Sequence, residues 1–144
     1  MPYCTLDDLK LSCPEANIRQ LTDDAGTGAI DQVKVDEAIA YADQLIDGYL
    51  RGRYSVPLNP LPDLIKHFSV DLAVFHLYAR RFEMEMPESM MAKHKNTVKF
   101  LEQIQKGLIS LGIESPDTGP GQGNYKTNKT SQDRTFSKDV LDKF

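Results

Sequence analysis

Across residues 30–50 the apolar positions Val35, Ala38, Ile39, Ala42, Leu45, Ile46, Tyr49 and Leu50 recur at i, i+3, i+4 and i+7, which commits one continuous helical face to burial. The pattern stops at Gly52, which favours the position just past a helix end, and at Pro57, which pushes Val56 toward extended geometry. The spacing therefore predicts a long core helix running into a basic, aromatic, proline-rich corner. Upstream, Thr5-Leu6-Asp7-Asp8 has the form of a capping box, with Thr5 as N-cap and Asp8 reaching back to it, opening a short helix that carries Leu6, Leu9 and Leu11. Pro14 restarts a second short helix, with Ala16, Ile18 and Leu21 inward, and a turn-rich loop over residues 22–28 follows. Downstream, Pro62-Asp63 starts a helix with Leu64, Ile65, Phe68, Leu72, Phe75, Ala79 and Phe82 on its buried side. Val70, Val74 and Leu77 widen that stripe beyond half the circumference, so this helix is expected to be covered on two sides, by its own domain or by a neighbouring subunit. Pro87-Glu88 opens the last long helix, in which Met91, Val98, Leu101, Ile104, Leu108 and Leu111 keep the period until Gly112. The expected fold is all-α, a small bundle of four to five helices.

After Ile113 the composition shifts to Gly, Pro, Ser, Thr, Asn and Gln, with Tyr125 the only large apolar residue before position 133. Such a stretch buries too little surface to offset its ordering entropy, so the division expected is a helical domain over 1–112 and a flexible tail over 113–144. The tail ends apolar: Phe136, Val140, Leu141 and Phe144 fall about one helical turn apart. Two readings stand side by side, a sticky peptide on a tether or a terminal segment that folds back on its own domain.

Composition and charge remove several function classes. A chain of 144 residues with 40% hydrophobic content supports one domain with a real core. A net charge of -4 and a pI near 5.3 supply no basic field of the kind that drives nonspecific nucleic-acid binding. Cys4 and Cys13 have no companion Cys or His pair at ligand spacing, so free thiols are expected, with no zinc site and no disulfide scaffold. The acidic 22–28 loop lacks the calcium-loop pattern, and His67, His76 and His94 stand in no ligand motif. There is no phosphate loop, no nucleophile elbow and no base beside Cys13, so the expectation is a non-enzyme without cofactor or metal. No apolar run approaches the length of a membrane span, and the first fifteen residues do not read as a leader. The pairs His67/Asp71 and Asp47/Arg51, at i, i+4, are expected to be solvated helix pairs. Two basic clusters, Arg51-Gly52-Arg53-Tyr54 and Arg80-Arg81, close long helices. Either they complement helix macrodipoles, or Arg53, Tyr54, Arg80 and Arg81 anchor a subunit interface, a role in which Arg and Tyr are enriched.

In these same residues the chain resembles the Mu-like head completion, or head-tail connector (adaptor), proteins of tailed phages. The resemblance is carried by Tyr3-x-Thr5-x-Asp7-Asp8-Leu9, by Gln20-Leu21-Thr22-Asp23-Asp24 with Ile30-Asp31, and by Ala38-Ile39-x-x-Ala42. It continues through Ile46-Asp47-x-Tyr49-Leu50-x-x-Arg53-Tyr54-x-Val56-Pro57-Leu58, Asp71-Leu72-Ala73-x-x-x-Leu77-Tyr78-x-Arg80-Arg81 and the terminal Phe136-Ser137-x-Asp139-x-Leu141. The resemblance implies a virion subunit, made in the host cytoplasm and placed in the neck, that assembles as a ring of twelve copies under the portal protein. It implies stopper or tail-completion proteins as further partners, genomic DNA passing through the lumen without sequence specificity, and no membrane. Phe136, Val140, Leu141 and Phe144 would then engage the portal or a neighbouring subunit. The alternative of another class is a non-virion helical binding or assembly-chaperone module that uses the same peptide on a soluble partner.

Overall fold

The periodic segments do form helices, and the widest apolar stripe ends up at their centre. The computed structural model describes residues 1–113. Among these, the regular elements are five α-helices and no strand: α1 (Leu6–Ser12), α2 (Glu15–Thr22), α3 (Gln32–Leu50), α4 (Asp63–Arg80) and α5 (Glu88–Gln105). The protein is all-α.

Helix starts follow local chemistry. Thr5 Oγ1 accepts from the Asp8 amide, and the Asp8 carboxylate accepts from the Thr5 amide at 2.9 Å, so two otherwise orphaned donors are satisfied reciprocally. Asp31 caps α3 by accepting from the Val33 amide at 3.0 Å. Helices α2, α4 and α5 each begin directly after a proline, Pro14, Pro62 and Pro87, where a missing N–H costs nothing. Thr22 joins α2 to α3: its hydroxyl donates to the Ile18 carbonyl at 2.9 Å and accepts from the Asp31 amide at 3.2 Å.

Helix α4 packs on all four of the others. Tyr41 stacks on His76 while Asp43 meets Ser69, so α3 runs antiparallel to α4; Phe68 stacks on Phe100 and Phe75 on His94, so α5 does too. Ile65, Phe68, Ser69, Val70, Leu72, Ala73, Val74, Leu77 and Tyr78 are all buried, and they occupy nearly the whole circumference of α4. The excess apolar surface read from the sequence is thus absorbed inside the subunit. The connector from α3 to α4 contains two cis peptide bonds, Val56-Pro57 and Asn59-Pro60, and Leu58 between them is buried.

Several sequence expectations need correction. Leu11 is 88% exposed, because it lies about 200° around the helix from buried Leu9 and a two-turn helix has only one covered face. Ala16 is exposed for the same kind of reason, Ala79 is exposed in the last turn of α4, and Met91 is half exposed at the edge of α5. Phe82 is 91% exposed, since α4 ends at Arg80 and the residue has left the helical register. α5 ends at Gln105 and not near Gly112; Gly107 takes φ +79° and stops it, which leaves Leu108 74% exposed. Gly52 lies in the turn after α3 without adopting a positive φ.

Truncating the centre should therefore cost far more than truncating the rim. Leu72→Ala is expected to lose about 2–5 kcal/mol, lowering the melting temperature by roughly 10–20 °C, whereas Leu11→Ala should stay within about 0.5 kcal/mol of wild type in the same thermal melts.

Candidate functional site

The corner after α3 is built into the body. Tyr54 is 3% exposed, and its hydroxyl accepts from the Leu111 amide at 3.1 Å, pinning the segment beyond α5 to the end of α3. Its backbone amide and that of Arg53 both donate to the Leu50 carbonyl at 2.9 Å, closing the turn. The Arg53 guanidinium lies over Gly107, where a β-carbon would collide with it. The positive φ is the reason a glycine ends α5, since the guanidinium is the far end of a flexible side chain. A cation at this point also faces the carbonyl end of α5, the sign that a helix C-terminus favours.

At the opposite end of the bundle, Arg80 and Arg81 grip the 22–28 loop. Arg80 Nη1 donates to the Leu21 carbonyl at 2.6 Å and to Asp24 Oδ1 at 3.1 Å, with a second, bidentate contact from Nη2 to Asp24 Oδ2. Arg81 Nη2 reaches the Asp23 carbonyl at 2.8 Å and Asp24 Oδ1 at 3.0 Å. The guanidinium of Arg80 in particular holds the Asp24 carboxyl below the usual carboxylate range. Asp23 is held low as well, because its two oxygens accept from the Thr27 and Gly28 amides, each at 2.7 Å. The acidic loop is thereby folded on its own carboxylates and locked to the C-terminus of α4.

A third cluster joins residues far apart in the chain. The Tyr3 amide donates to Asp43 Oδ2 at 3.1 Å, its hydroxyl donates to Asp47, and the same hydroxyl accepts from the Leu58 amide at 3.0 Å. Ser69 Oγ lies 2.9 Å from Asp43 Oδ1 and 3.2 Å from Cys4 Sγ. A hydroxyl has one proton and the carboxylate is the stronger acceptor, so Ser69 donates to Asp43 and accepts from the Cys4 thiol. Burial pushes the Cys4 thiol up to about 11 and raises Cys13 as well, so neither is a nucleophile at neutral pH. Burial also raises Asp43, against the hydrogen bonds from Tyr3 and Ser69 that favour its ionised form. Asp47, expected beside Arg51 in a solvated pair, is occupied by Tyr3 instead. These residues fasten the N-terminal segment, α3, α4 and the proline connector together, a structural clasp whose two carboxylates are partly buried.

Arg53, Tyr54, Arg80 and Arg81 do not meet in one patch: the first two sit at the end of α3, the other two at the end of α4, and all four make contacts within the subunit. Phe136, Val140, Leu141 and Phe144 lie outside the described residues, as does the proposed boundary's tail side beyond Ile113. Among the described residues, no group of three or more His, Cys, Asp and Glu side chains is placed to hold a metal ion, and no helix is long and apolar enough to cross a membrane. Sequence reasoning missed the role of Tyr3, Asp43 and Ser69, whose partners lie 26 to 65 residues away. The only local hint was that Asp43 and Asp47 stand at i, i+4 on the edge of the apolar stripe of α3.

Comparison with known proteins gives consistent matches. Residues 3–129 match the family described as Bacteriophage Mu, Gp36. The chain is 30% identical over 139 residues to Gene product J of Escherichia phage Mu, covering 96% of each chain. It is 34% identical over 89 residues to the Mu-like prophage FluMu protein gp36 of Haemophilus influenzae, covering 62% of this chain and 60% of that one.

Two measurements test these clusters. Tyr3→Phe leaves the Leu58 amide and the Asp47 carboxylate without their partner and should cost about 1–3 kcal/mol in chemical denaturation. Asp24 has a folded-state pKa below its unfolded value of 3.8, so its contribution is fully present above that value and is lost as pH falls through the folded one. The stability gap between wild type and Asp24→Asn should therefore be constant above about pH 5 and close on acidification below it.

Proposed function

Since this chain belongs to the Bacteriophage Mu Gp36 family, we propose that it is a structural protein of a phage particle, the head-tail connector subunit that forms a ring under the portal. In this reading it receives the stopper or tail-completion protein, and the DNA of the filled head passes through its lumen. The observation that carries the proposal is the similarity to a phage Mu protein running almost end to end, over 96% of both chains.

The physical features fit such work. Because α4 is covered within the subunit, a ring must use outer surfaces, and large apolar side chains stand at both ends of the α4–α5 pair, Phe82 and Leu108. A heterologous contact joins two different surfaces of this kind and closes by rotation into a ring. The role is mechanical, with no catalytic step, metal or cofactor in it. A net charge of -4 suits a lumen through which DNA slides without sticking. Arg53, Arg80 and Arg81 are partly exposed, so an interface anchor role would use the edges that their internal contacts leave over. Tails carrying Phe136, Val140, Leu141 and Phe144 would add avidity, since many copies engage a portal at once.

Purified particles made from the genome that encodes this protein should contain it, and electron microscopy should place it in the neck. Deleting residues 136–144 should leave the helical body folded, judged by circular dichroism, while filled heads and tails accumulate unjoined. Detection in the lysate but never in the particle would overturn the connector reading in favour of an assembly chaperone.

A further inference from the structure

We propose that residues 136–144 of the chain, when no partner is engaged, dock in cis in the groove that α1, α4 and α5 leave open along the first half of α4. The inference rests on the reading of that segment as a docking peptide and adds a seat for it on its own subunit.

The groove has a volume of about 540 Å³ and is lined by Leu11 of α1, by Lys66, His67, Val70 and Asp71 of α4, and by Lys93 of α5. It exists because α1 is only two turns long and covers one flank of α4, while α5 covers the other. Its apolar lining is Leu11 and Val70. Leu11 stands out from α1, 88% exposed, while Val70 of α4 is buried. Its charges alternate in sign: Lys66 pairs with Asp8 at 2.7 Å, and Lys93 approaches Asp71 at 4.0 Å. Asp71 is half-buried, and burial raises its carboxyl despite Lys93 and His67 nearby, so a further cation there would be welcome.

The terminal peptide fits these features by length, pattern and charge. From Phe136 to Phe144 is eight residue steps, about 12 Å as a helix, and the groove-lining part of α4 also spans eight steps, from Asp63 to Asp71. Its apolar positions, at i, i+4, i+5 and i+8, make one face; Lys138, Asp139, Asp142 and Lys143 flank it with both signs, as the groove does. A second cleft of similar size, about 530 Å³ between the N-terminal segment and α3, has Leu6 and Ile39 in its lining, but its charged side chains are Asp36 and Asp43 alone. Asp139 and Asp142 would find no cationic side chain there.

Reach does not limit docking. From Ile113 to Phe136 the chain has 23 steps, at most about 80 Å when extended, against a radius of gyration of about 13 Å for a body of this size. Tethering also gives the peptide an effective concentration in the millimolar range, so its own groove outcompetes that of another copy in dilute solution. A portal or a neighbouring subunit that captures the peptide must first draw it out of this groove, which makes the exchange conditional on the partner being present.

Paramagnetic relaxation tests this on the full chain. A nitroxide attached through Lys138→Cys labels selectively, because the Cys4 and Cys13 thiols are buried and protonated. In uniformly nitrogen-15-labelled protein, broadening beyond the tail's own amides should be centred on the three walls of the groove, α1, residues 63–71 and the turn of α5 around Lys93. It should vanish in Leu11→Glu and in Val140→Ser, both with unchanged circular dichroism melts. Three outcomes would overturn the proposal: no broadening, broadening centred elsewhere, or broadening that survives Leu11→Glu. Transfer from an unlabelled, nitroxide-bearing copy to a nitrogen-15 copy would likewise overturn docking in cis. Failure here leaves incorporation into particles untouched, and absence from particles leaves this measurement intact, so the two readings fail separately.

Discussion

The structure depends on one constraint, that α4 must be covered around almost its whole circumference. A helix with Ile65, Val70, Leu72, Val74 and Leu77 pointing in different directions cannot lie on a surface; each must find a neighbour or leave apolar area in water at about 25 cal/mol per Å². α3 and α5 flank it antiparallel, and the two short helices α1 and α2 fill what remains. Every other feature of the fold can be traced to placing those four helices and holding them there.

Holding is done by polar contacts at the ends of the helices, where hydrophobic burial gives little direction. At the C-terminus of α4, Arg80 and Arg81 fix the loop between α2 and α3 through Asp24 and two carbonyls. Midway, Tyr3, Asp43, Asp47 and Ser69 tie the first residues of the chain to α3, α4 and the proline connector. Past the end of α3, Tyr54 and Arg53 secure the chain leaving α5. Groups that look like an interface or a site when read singly also act as fasteners within the subunit. The subunit is stiffened in this way, with apolar side chains left at its ends.

Local chemistry was legible wherever one turn of chain is enough to decide it. The Thr5/Asp8 capping box, the three prolines at helix entrances and the inward faces of α3 and α4 follow from spacings of three and four residues. Errors gathered where an apolar residue was assigned inward by continuing a period past its end. Phe82 and Leu108 lie beyond the true helix ends, and Leu11 lies on the wrong side of a helix too short to have two covered faces. Leu108 and Leu111 keep the helical spacing past the true stop, which is Gly107 at φ +79°, and the Arg53 guanidinium lying over it is a contact that no local window contains.

By itself, then, the sequence determined the all-α class, the order of the helices, the face each long helix buries, and membership of a phage family, because periodicity, capping and ordered motifs are properties of neighbouring residues. Only the tertiary structure decided that the wide stripe of α4 is satisfied within one subunit, that Tyr54, Arg80 and Arg81 turn inward to hold loops, and that a charged groove remains beside α1. Those outcomes depend on which distant groups arrive together, Tyr3 at Asp47, Arg80 at Asp24, Leu11 opposite Lys93, and such meetings are set by the packing of whole helices around one another.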